Sequence, residues 1–103
     1  MAELFEKVNI CGIPHKVIYK EDAFDSDTLH MGEINFAKAE IYVNKDMSDS
    51  MIQQTVIHEM VHGILIHIGR NDLYADETLV QMLAMALNLG FNIRELEVRD
   101  AIL

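Results

Sequence analysis

The stretch 51–68 constrains this chain more than any other. Apolar residues take nearly every side of the helix it would form: Ile52, Val56, Ile57, Met60, Val61, Ile64, Leu65, Ile66 and Ile68. A helix of that kind is buried, not laid on a surface. Ser50 with Gln53 three residues later matches a capping box, and Gly69-Arg70-Asn71-Asp72 breaks the pattern. Inside this apolar run lie His58, Glu59 and His62. Buried polar groups must be paired, so these three side chains require partners.

His58 and His62 are four apart, so they stack on one face a turn from each other, close enough to share one metal ion. Neutral imidazole is a good zinc ligand, and two of them leave room for a third protein ligand and a water. Glu59 is offset by about 100° around the helix. That places its carboxylate beside a metal-bound water, not on the metal. Zinc brings the pKa of such a water to about 7, and a carboxylate can take its proton as it attacks a carbonyl. Glu59 is therefore the expected catalytic base. A chance H-E-x-x-H would more often fall on a loop or an exposed helix, whereas this one lies mid-helix in apolar surroundings.

Two residues compete for the third ligand position. Glu77 follows in the next helix and shares a stripe with Leu73, Val80, Ala84 and Leu87. A carboxylate on an apolar stripe is anomalous without a partner, although an acid in a first helical turn also suits the helix dipole. His67 is the rival. A helix rotates by about 140° over the five residues from His62, so His67 points away while the helix continues. Asp76 is expected to be exposed or to orient a ligand histidine. His15 and His30 read as ordinary polar residues, and the seven methionines as core filling.

The first half of the chain reads as strands. Val8-Asn9-Ile10 and Lys16-Val17-Ile18-Tyr19 flank Gly12 and Pro14, a hairpin pattern. An acidic stretch over 21–28 reads as a surface loop. The segments 32–36 and 40–44 alternate with period two and form a second hairpin around Ala37-Lys38-Ala39. After the central helix, a second is expected over 73–89, capped by Asn71 or Asp72 and stopped by Gly90. A short helix around 94–100 is expected in the tail. These elements predict an α+β fold over one domain, 1–103: a small twisted antiparallel sheet of two hairpins packed on the histidine helix and a glutamate-bearing helix.

With 17 acidic against 8 basic side chains, the net charge is −9, which argues against nucleic acid as a partner. The one cysteine, Cys11, allows no intramolecular disulfide and fits a reducing, cytoplasmic setting. The first residues lack the apolar run of a secretory signal. No apolar stretch approaches the roughly 20 residues of a membrane helix.

The run Thr55-Val56-Ile57-His58-Glu59-Met60-Val61-His62, followed by Asp76-Glu77-Thr78-Leu79-Val80, resembles the zincin metallopeptidases. The downstream glutamate makes it similar to the gluzincin branch in its minimal single-domain form, and to small phage and prophage proteins related to the ImmA/IrrE metallopeptidases. The resemblance implies zinc held by His58, His62 and Glu77, with Glu59 as base. It also implies a peptide or protein substrate added as an extra strand along 32–36 or 40–44. Leu65 and Ile68 stand where the metzincins have glycine and histidine. The zinc-dependent RNA-maturation endonucleases lack the glutamate after the first histidine, and His67 is one residue out of register for them. No clear oxyanion-stabilising residue is present; Tyr74 is a candidate. The expected activity is zinc-dependent peptide-bond hydrolysis. The alternative is a metal-stabilised binding or regulatory protein with little turnover.

Overall fold

A computed structural model describes residues 5–21 and 31–90. The tail helix expected over 94–100, His30 and most of the acidic stretch lie outside the described residues. Strands β1 (Lys7–Ile10) and β2 (Ile13–Lys20) pair antiparallel. Their two-residue turn, Cys11-Gly12, has φ of 51° and 82°. Two successive positive φ values match the twist of a tight hairpin. Strands β3 (Gly32–Asn35) and β4 (Glu40–Asn44) form the second antiparallel pair.

Both hairpins thus form where the sequence pattern placed them, but they are joined differently from the expected all-antiparallel sheet. The strand order is β1-β2-β4-β3, and β2 runs parallel to β4. Strand β3 runs opposite to both β2 and β4, so β4 enters the sheet in the same direction as β2. That register sets Val17 beside Ile41 and leaves β3 as an outer strand.

Helix α1 (Asp49–His67) packs Ile52 and Val56 against Ile10, Val17, Ile41 and Val43. Its N-cap is Ser48, whose Oγ accepts from the Met51 N–H at 3.3 Å. The capping box expected at Ser50 and Gln53 does not form. Gln53 instead donates to Asn88 across the helix pair. Nor is α1 buried all round: Ile64 and Ile68 remain open to solvent.

Close approach of β3 to α1 rests on Gly32. A Cβ there would stand 2.6 Å from Thr55 Cγ2 and 2.8 Å from the Tyr42 carbonyl oxygen. Because one neighbour is backbone, the clash cannot be relieved by a rotamer change alone. Gly32→Ala is expected to destabilise the protein by about 1–3 kcal/mol in thermal or denaturant melts. Gly90, with nothing within 4 Å of its added Cβ, is the control position.

The second helical region is divided where one helix was expected. A single turn, α2 (Asn71–Tyr74), is followed by a break and then α3 (Glu77–Gly90). Neither Asn71 nor Asp72 caps a long helix. Asp72 is held in a two-point pair by Arg70 at 2.8 and 3.0 Å. Asp76 starts α3 instead, its Oδ1 accepting from the Leu79 N–H at 3.0 Å. Val80 and Ala84 then pack on Val61 and Leu65 of α1. The polar residues Glu77, Gln81 and Asn88 bond to α1 side chains, while Met82 and Leu89 face outward. Among the described residues, no helix is long and apolar enough to cross a membrane.

Candidate metal centre

The antiparallel packing of α3 on α1 brings its first residue over the two histidines. Glu77 Oε2 lies 3.1 Å from His58 Nε2, and Glu77 Oε1 lies 2.9 Å from His62 Nε2. One ligand atom from each of the three residues falls within 4.8 Å of the others, a group that could hold a metal ion. Glu77 is largely exposed, so its position is set by the Asp76 cap and by these contacts, not by burial.

The outer ring nitrogens are also engaged. His62 Nδ1 lies 2.9 Å from the Tyr74 carbonyl oxygen. A carbonyl only accepts, so Nδ1 carries the hydrogen and Nε2 presents its lone pair to the centre. His58 Nδ1 lies 2.6 Å from Gln81 Oε1, which directs His58 Nε2 inward in the same way. Four lone-pair-bearing atoms therefore converge unless a histidine becomes charged. For His62 burial is the largest influence and lowers its pKa, opposed by the Glu77 carboxylate. A cation among these atoms relieves the conflict, and the donor set fits a divalent ion that accepts imidazole and carboxylate ligands.

Gln81 was not singled out by sequence reasoning, although it lies four residues after Glu77 on the same helical face. Its amide oxygen orients the His58 ring, and where such a ring binds a metal, loss of the orienting group typically costs 10–100-fold in affinity. Gln81→Ala is expected to weaken the metal by that factor in competition with a coloured chelator. Gln81→Glu, which keeps an acceptor, should retain it.

Glu59 is 6% exposed, one residue round the helix from His58. Burial, with the Glu77 and Glu33 charges adding to it, pushes its carboxyl up to about 8. A bound dication would act in the opposite sense. Glu59 lines an open cavity of about 580 Å³ with both histidines and Glu77. One wall is the β3 edge from Met31 to Ile34, the floor is α1, and the far wall is Tyr74 with α3. Gln54 and Thr55, one turn before His58 and Glu59, also line it. Their Nε2 and Oγ1 are buried without a hydrogen-bond partner.

The remaining candidates stand apart. His67 ends α1 in the open, its ring 6.2 Å from that of His15 and outside the ligand group. His15 is buried in the sheet, with Nδ1 2.8 Å from the Ile13 carbonyl oxygen. Tyr74 supplies its carbonyl to His62 and sets its ring edge-on at 5.1 Å. Asp76 caps α3 and orients no ligand ring. No protein-family model, no curated protein and no solved structure matches this chain.

Proposed function

We propose that the chain is a zinc-dependent hydrolase of peptide bonds, similar to the minimal gluzincins and the phage proteins related to ImmA/IrrE. The observation that carries this reading is the convergence of His58 Nε2, His62 Nε2 and the Glu77 carboxylate beside a buried carboxylate, in a cavity open to substrate. Two imidazoles and a carboxylate suit zinc, which when bound polarises a carbonyl and acidifies water. His58, His62 and Glu77 would hold it. Glu59 takes the proton of the attacking water as the C–O bond forms and delivers it to the leaving nitrogen as the C–N bond breaks. Strand β3, outermost in the sheet among the described residues, forms one wall and offers backbone groups to an extended peptide. A reducing, cytoplasmic setting goes with this reading, since Cys11 has no second cysteine with which to pair.

A second reading, a metal-stabilised regulatory protein with little turnover, is favoured by one observation. Among the described residues no arginine or lysine lines the cavity to stabilise an oxyanion, and Tyr74 is engaged with His62. Elemental analysis of protein purified without affinity-tag metals should show about one zinc per chain, and a peptide library should then be cleaved. Zinc without cleavage favours the regulatory protein, and absence of zinc removes both readings.

A further inference from the structure

The charge around the cavity is one-sided. Among the described residues, those lining it that ionise are Glu33, Glu59 and Glu77 beside the two histidines, with no lysine or arginine. One of these acids, Glu77, is spent on the ligand group. Glu33 stands exposed on the β3 wall and Glu59 on the α1 floor. The chain as a whole carries −9. In a cleft with low-dielectric walls such charge is focused, which raises the local concentration of cations and repels anions.

The same opening is apolar at its rim. Met31 and Met51 are 37% and 40% exposed, and both line the cavity together with Ile34. Methionine is unbranched and adapts to irregular shapes, so two of them accept large apolar groups of varied outline. The acids lie on β3, α1 and α3, whereas the methionines sit at the N-terminal ends of β3 and α1. An extended chain crossing from rim to floor meets both.

We infer that the site selects peptide segments with a large apolar side chain flanked by basic residues, and rejects acidic segments. This inference rests on the hydrolase reading for what happens to the bound peptide, but the selection itself is a property of the cleft. The reading and the inference therefore fail separately.

The test uses the full wild-type chain, its zinc content measured and its metal then removed with a chelator, so that peptides bind without being cut and no lining acid is lost. Three fluorescent decapeptides, blocked at both ends, serve as probes: leucine flanked by lysines, leucine flanked by glutamates, and serine flanked by lysines. Fluorescence polarisation should show the first binding at least tenfold tighter than the second at low salt, the difference shrinking as salt screens the charges. Serine in place of leucine should cost about tenfold or more, as expected for removing a buried apolar side chain. Glu33→Lys, at an exposed position on an outer strand, should narrow the lysine-over-glutamate gap. Equal binding of the acidic peptide, no loss with serine, or a gap unchanged by Glu33→Lys overturns the inference. Zinc content measured on the same samples decides the metal reading independently.

Discussion

His62→Ala is expected to weaken metal binding at least a hundredfold and to abolish most of the thermal stabilisation that metal confers. A structural zinc site contributes about 10–16 kcal/mol in apparent binding free energy, so one ligand of three or four accounts for roughly 3–4 kcal/mol. Metal at a hundredfold excess over its dissociation constant stabilises the folded chain by about 2.7 kcal/mol. In a domain of this size that moves the melting temperature by roughly 10–20 °C. The measurement is the shift on adding metal, not the melting temperature alone, because His62 is buried and its loss also leaves a gap. His58→Ala and Glu77→Ala should reduce the shift as well. His67→Ala should leave it intact, since His67 is exposed and outside the ligand group. A shift lost with His67 and kept without Glu77 would reverse the assignment of the third ligand.

Glu59→Gln is expected to lower peptide cleavage by roughly 10²–10⁴-fold, the usual contribution of a positioned general base. Metal content should be unchanged, because Glu59 is not in the ligand group. The same variant carries a pH signature in metal-free protein. The Glu59 carboxyl is raised from 4.5 to about 8 in the fold. Below pH 4.5 folded and unfolded chains both hold the proton, and burial of the carboxyl costs nothing in charge. Between pH 4.5 and 8 the unfolded chain releases the proton while the folded one keeps it, so stability falls as pH rises. Glutamine has no proton to hold. The stability of Glu59→Gln over wild type should therefore grow across that window, by on the order of a few kcal/mol. The lowered His62 pKa acts in both proteins and cancels in the comparison. A constant difference across the window would show that Glu59 is solvated, with no raised carboxyl to serve as a base.

Much of this was legible in local pattern. Turn residues located the first hairpin, and period-two alternation the second. A spacing of four placed His58 and His62 on one face of one helix, and the rotation from His62 to His67 turned the latter away. Each of these follows from the geometry of a single element. The errors also have local causes. The capping box at Ser50 was a pattern match that Ser48 pre-empted two residues earlier, freeing Gln53 to reach Asn88. The second helix was drawn as one because its apolar stripe runs through Leu73. The Asp76 cap, which restarts the helix at Glu77, competes successfully with that continuity.

By itself, then, the sequence determined which side chains on α1 point together, because a helix sets directions within its own length. It could not determine which residues from other elements meet them. Packing of Val80 and Ala84 on Val61 and Leu65 set Glu77, not His67, beside the two histidines and brought Gln81 and the Tyr74 carbonyl onto the two rings. Parallel pairing of β2 with β4 left β3 on the outside, where Gly32 lets it close over Thr55 and Glu59. Relative placement of elements is fixed by the burial of surfaces far apart in the chain, and no local periodicity encodes it. The two histidines belong to the helix; the centre they form belongs to the fold.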